Sequence, residues 1–138
     1  VSQLVEVLYP VPDLRRTALS SLKWWESRRL QYNKIVGATG LFTLAMVTLL
    51  GSLPPHANGF NLLGMLGAAT AYGVAANACY TMGWFLDMAA RRVWGRNAPD
   101  VGPLLFRQGL IFSVGLTLLP LIPATLFWIA RIVMAVTG

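Results

Sequence analysis

Residues 35–53 read IVGATGLFTLAMVTLLGSL, nineteen positions without a charge. At 1.5 Å per residue such a helix spans about 28 Å, close to the ~30 Å hydrocarbon thickness of a bilayer. The stretch predicts a first transmembrane helix, which Pro54 and Pro55 end. The pattern recurs twice downstream. Residues 61–86, NLLGMLGAATAYGVAANACYTMGWFL, are also uncharged and predict a second span, long enough to tilt. Residues 108–130, QGLIFSVGLTLLPLIPATLFWIA, predict a third. Pro120 and Pro123 lie inside it and predict a kink, which lipid tolerates when neighbours re-satisfy the released carbonyls.

Composition agrees. The chain has 138 residues, of which 56% are hydrophobic and 12% charged. A soluble domain carries roughly 25% charge. These values exclude a soluble globular class and place residues 1–138 in one integral membrane domain of all-α class. The 11% aromatic content argues against disorder.

The segments between the spans complete the expected layout. Residues 1–12 (VSQLVEVLYPVP) read as an extended tail, with Asp13 as N-cap of the adjoining helix. Residues 13–34 read as an interfacial amphipathic helix. Leu19, Leu22, Trp25, Leu30 and Tyr32 share one arc, and Lys23, Ser27, Gln31 and Lys34 fall outside it. Residues 87–107 read as a basic cytoplasmic loop broken by Gly95, Pro99, Gly102 and Pro103. No cleavable signal peptide is legible.

Charge orients the chain. The net charge is +6. Arg15, Arg16, Lys23, Arg28, Arg29 and Lys34 precede the first span, and Arg91, Arg92, Arg96 and Arg107 flank the second link. The link at 54–60 has no Lys or Arg. The positive-inside rule puts the N-terminus and the 87–107 segment in the cytoplasm and the C-terminus in the periplasm. The expected membrane-surface contacts are Arg28, Arg29, Lys34, Arg91, Arg92, Trp94, Arg96 and Arg107, facing anionic headgroups rather than nucleic acid. Arg131 is the dissenting charge and is expected to snorkel beside Trp128. A re-entrant hairpin of residues 108–119 and 121–131 would remove that dissent and is the alternative.

Few residues offer chemistry. His56, the sole histidine, sits in the short outer link, which argues against haem or bacteriochlorophyll ligation inside a span. The spans hold no Asp, Glu, Lys or Arg, which argues against an ion-coupled transporter. No Walker loop, dinucleotide fingerprint, zinc motif or nucleophile elbow is present. Cys79 is the one cysteine, so no intrachain disulfide can form. Asp87 reads as an i+4 partner of Arg91. No catalytic or metal residue is expected.

The second span carries a packing signal. Gly67, Ala71, Ala75 and Cys79 recur every four residues, Ala69, Gly73 and Asn77 line a neighbouring face, and Gly64 and Ala68 add a further pair. Small residues at this spacing let helices approach closely, against this chain or another. Asn77 should bond to a neighbouring helix or a ligand. Ser113 with Thr117, and Thr39 with Thr43, are further polar candidates.

Leu22–Lys34 (LKWWESRRLQYNK) running into Ile35–Gly40 (IVGATG), with Ala76–Trp84 (ANACYTMGW), resembles a group of small, uncharacterised bacterial multi-span membrane proteins. The resemblance covers stretches of 19 and 9 residues and implies a bacterial inner membrane. It carries no activity and no residue roles.

The expectation is a non-catalytic accessory subunit of a larger bacterial inner-membrane complex, first of all a photosynthetic reaction centre–light-harvesting assembly. It has no intrinsic cofactor, and would meet lipid, carotenoid, quinone or bacteriochlorophyll through its partners. The alternatives are a homo-oligomeric channel or exporter, a respiratory accessory subunit, and an enzyme or assembly factor using Arg91, Arg92 and Trp94.

Overall fold

The computed structural model describes residues 17–55, 61–95 and 100–138. These form four α-helices and no strand: α1 (Ala18–Ser52), α2 (Leu62–Trp94), α3 (Gly102–Leu118) and α4 (Leu121–Thr137). Three stretches are long and apolar enough to cross a membrane: α1, α2, and α3 with α4 together over Gly102–Thr137. The chain is thus a helical protein with three membrane-spanning candidates.

Local chemistry sets the ends. The Thr17 hydroxyl caps α1 by accepting from the Ser20 amide at 3.3 Å. α1 stops at Leu53, whose ψ of 143° is the extended geometry a residue before proline adopts. Asn61 caps α2 through the Gly64 amide at 2.9 Å. Gly95 closes α2 at φ 59°, a left-handed value that glycine adopts without Cβ strain. Pro103 occupies the first turn of α3, where its missing N–H costs nothing.

Three boundaries differ from the sequence expectation. Residues 18–34 and 35–52 form one unbroken helix of 35 residues, about 52 Å long, with no separate interfacial helix. Ser21, Trp25 and Tyr32 are buried in the bundle, whereas Leu19 and Leu30 of the expected apolar arc stay exposed. The expected 87–107 loop is helical up to Trp94 and again from Gly102. The tail at 1–12 and Asp13 lie outside the described residues.

The expected kink site is a turn at Leu119–Pro120. Both residues keep right-handed helical dihedrals. Pro120 offers no N–H to the Leu116 carbonyl, which takes the Leu119 amide at 3.3 Å instead. Pro123 falls in the first turn of α4, where no intrahelical donor is needed. The chain does not reverse there. Contacts of α1 with α3 and α4 climb together: Trp25 with Phe106, Tyr32 with Ser113, Gly40 with Thr117, and Leu50 with Arg131. A hairpin would bring Arg131 back to the level of Arg107. Residues 102–137 therefore run through, parallel to α1. α2 runs antiparallel, pairing Ser21 with Asp87 at one end and Thr48 with Met65 at the other.

The core sits in one half of this bundle. Trp25, Tyr32, Val36, Ala76, Tyr80, Phe106 and Leu110 are its buried apolar residues. Its rings meet edge to face, with Trp25–Tyr80 centroids 5.3 Å apart and Tyr80–Phe106 6.2 Å apart. This is the half where α1 carries its charges. In the other half Leu41, Leu49, Leu63, Val74 and Val133 point outward. Outward apolar side chains suit a membrane-crossing candidate, and the helices there meet through Thr48 with Met65 and Arg131 with Leu50.

Candidate functional site

The charged end of the bundle is organised around one carboxylate. Asp87 is completely buried. It shares a helical face with Ala76 and Tyr80, which points it at α1. Its Oδ2 accepts from Ser21 Oγ at 2.7 Å and Trp25 Nε1 at 3.0 Å. Its Oδ1 accepts from Arg91 Nε at 3.3 Å. Arg91 extends to Asp100 through Nη2 at 2.9 Å. The carboxylate also lies against Gly102, where a Cβ would come within 3.1 Å of Oδ2. One side chain thus ties together the start of α1, the end of α2 and the start of α3. The expected Arg91–Asp87 pairing is present, and the two added donors make it a buried hub.

A tier of hydroxyls sits below it. The Tyr80 hydroxyl donates to the Trp25 carbonyl. Tyr32 donates to the Ala76 carbonyl at 3.2 Å and exchanges a 2.8 Å bond with Ser113 Oγ. Tyr72 donates to the Ser113 carbonyl at 2.9 Å and meets Thr117 Oγ1. Ser113 and Thr117 are thus joined to α1 and α2. Thr39 bonds back to the Ile35 carbonyl of its own helix instead.

At the opposite end Arg131 is buried rather than snorkelling. Its Nη2 donates to the Leu50 carbonyl at 2.6 Å, and Nη1 reaches the Gly51 carbonyl at 3.5 Å. These carbonyls end α1 and have no amide of their own helix to accept. Trp128 Nε1 donates to the Pro54 carbonyl at 3.3 Å beside them.

Most of the small residues expected to pack on α2 are not covered by the described part of the chain. Gly64, Gly67, Ala68, Ala71, Ala75 and Cys79 are exposed, and a Cβ at Gly67 or Gly73 would meet nothing within 4 Å. The inward face of α2 is instead Ala76, Tyr80, Gly83 and Asp87, with Gly83 under the Trp25 ring. Asn77 does cross to α1, donating to Asn33 Oδ1 at 3.1 Å and to the Gly73 carbonyl at 3.1 Å.

The basic residues divide. Arg91 is spent on the two aspartates. Arg29 grips Glu26 at 2.8 Å and reaches Thr81. Arg28 stacks over Trp24 at 4.1 Å. Arg107 is half-buried, and Lys34, Arg92 and Trp94 face outward. Arg96 and His56 lie outside the described residues.

A lateral groove of about 350 Å³ opens between α2 and α3 at this end. Cys79, Met82 and Leu86 form one wall, Leu105, Gly109 and Phe112 the other. Trp25, Tyr32 and Tyr80 lie at its floor. Sequence reasoning missed it because it needs the α2–α3 register. The 76–80–87 and 106–110–113–117 spacings hold the signal that would have placed Asp87 and Ser113 on core faces. Among the described residues no cluster of His, Cys, Asp or Glu could hold a metal ion. No protein-family model, curated protein or solved structure matches the chain.

Proposed function

We propose that this protein is a non-catalytic structural subunit of a larger bacterial inner-membrane complex, with its basic end in the cytoplasm and its C-terminus in the periplasm. The observation that carries the reading is the outer face of α2. Gly67, Ala68, Ala71 and Ala75 form a smooth surface that no described part of the chain covers. Helices meet over such surfaces in lipid. The polar groups in the bundle support the same reading. Asp87, Tyr32, Tyr72 and Tyr80 bond to neighbouring helices, so these polar groups hold the bundle together.

A photosynthetic reaction centre–light-harvesting assembly is the first host to test, by analogy with small helical subunits that fill gaps in such complexes. Mild solubilisation of native membranes, followed by native electrophoresis, tests the proposal. The chain should migrate with larger subunits, and pigment absorbance in that band would identify a photosynthetic host. Migration at its own mass overturns the reading.

Self-association is the second reading, because Cys79 is exposed beside the small-residue face. Thiol crosslinking in native membranes would then give a dimer of this chain. Heterologous products alone exclude it.

A further inference from the structure

We propose that the groove between α2 and α3 binds one acyl chain of an anionic phospholipid. Its height in the bundle is the first reason. The floor residue Trp25 is flanked on α1 by Lys23, Glu26, Arg28 and Arg29. At that height α2 and α3 expose Met82, Phe85, Leu86 and Leu104. Asn33 is level with Asn77, so a bilayer surface leaving α1 at Lys34 would have to climb about 16 Å to leave α2 at Asp87. Neighbouring helices stand only about 8–10 Å apart. A flat bilayer surface does not meet both conditions. A single lipid drawn up into the groove covers the apolar wall at the height of the charges.

The lining decides which part of the lipid enters. The walls are mainly apolar, with Met82, Leu86, Leu105 and Phe112 beside Cys79 and Gly109, and exposed Gln108 is the one amide among them. The Tyr32 and Tyr80 hydroxyls are committed to Ala76, Ser113 and Trp25, so the floor presents ring faces and no spare donor. Such a lining suits a hydrocarbon chain and disfavours a headgroup or a polar ring. A side chain at position 109 would project into open space, so a bulky one there would fill the groove.

Charge selects the headgroup. The described part of this end carries Lys23, Arg28, Arg29, Lys34, Arg91, Arg92 and Arg107 against Glu26, Asp87 and Asp100. Lys23, Lys34 and Arg92 are exposed. The excess of basic groups at this end of the bundle favours a phosphatidylglycerol-type headgroup over a zwitterionic one.

The test uses the full chain in phosphatidylcholine nanodiscs containing phosphatidylglycerol with a photoactivatable diazirine on its acyl chain. Peptides carrying Cys79, Met82 and Phe112 should take most of the label. Unlabelled phosphatidylglycerol should compete it away, and phosphatidylcholine should not. Gly109→Phe should abolish labelling there. Gly115→Phe, at an equally open position off the groove, should leave it intact. Label spread evenly to residues such as Leu63 and Val133 overturns the proposal. So does competition by both lipids alike, or labelling that survives Gly109→Phe. The competition arm uses the unaltered chain and does not depend on any variant folding.

Discussion

Ser21 Oγ donates a 2.7 Å hydrogen bond to Asp87 Oδ2 across 66 positions of chain, inside a region closed to solvent. Neither residue belongs to an uncharged span as the sequence reads. Together they join the first turn of α1 to the end of α2, with the start of α3 against the same carboxylate.

Removing this carboxylate should be the costliest single polar change in the bundle. Asp87→Ala leaves Ser21, Trp25 and one edge of Arg91 without an acceptor. Breaking such a buried pair costs about 3 kcal/mol, while Ser21→Ala, removing one donor, costs about 1 kcal/mol. Reversible unfolding in mixed micelles measures both. Equal losses would mean that Asp87 is not the hub.

Gly102 should resist even one added carbon. A Cβ would stand 3.1 Å from Asp87 Oδ2 and 3.3 Å from its Cγ. Gly102→Ala should cost about 1–2 kcal/mol by crowding the carboxylate. Gly67→Ala, which meets nothing, should leave the isolated chain unchanged. Thermal unfolding of the two variants side by side decides the matter.

Arg131→Ala should loosen the end of α1 rather than the core. The Leu50 and Gly51 carbonyls lose their donor, a loss of about 1–2 kcal/mol. Hydrogen exchange should accelerate in the last turn of α1 and stay slow around Trp25. Faster exchange throughout the bundle would contradict a local cap.

Topology has its own check. In a Cys79→Ala background, Ser52→Cys and Arg92→Cys lie at opposite ends of the bundle. A membrane-impermeant maleimide should label Ser52→Cys from the periplasm and Arg92→Cys only in inverted vesicles. Labelling of both from one side would refute α2 as a membrane-crossing helix, and the reversed pattern would refute the orientation.

Much of the architecture is legible from residue types alone. Charge-free runs of about 20 residues have few stable fates other than crossing a bilayer, so the three spans can be read from 35–53, 61–86 and 108–130. Pro54 and Pro55 end α1 because neither can supply an amide to its last carbonyls. What could not be read was the extent of each helix past its apolar run. Charge marks where lipid ends, and helices do not stop there. Lys34 and Asp87 therefore read as boundaries, although α1 and α2 pass straight through them.

The small-residue spacing on α2 is visible in sequence, but which face turns inward depends on the volumes presented by α1 and α3. Trp25 and Tyr32 supply that volume, and they select the face with Ala76, Gly83 and Asp87. Arg131 likewise reads as an anomaly until the fold brings it to the Leu50 carbonyl.

The sequence by itself determined which stretches are long and apolar enough to cross a membrane: hydrophobic runs and clustered basic residues depend only on composition along the chain. Only the tertiary structure decided where the core lies, that Asp87 joins three helices, and that a groove stays open between α2 and α3. Those features arise from register between segments distant in the chain, and register is settled by side-chain volume and hydrogen-bond pairing across helices.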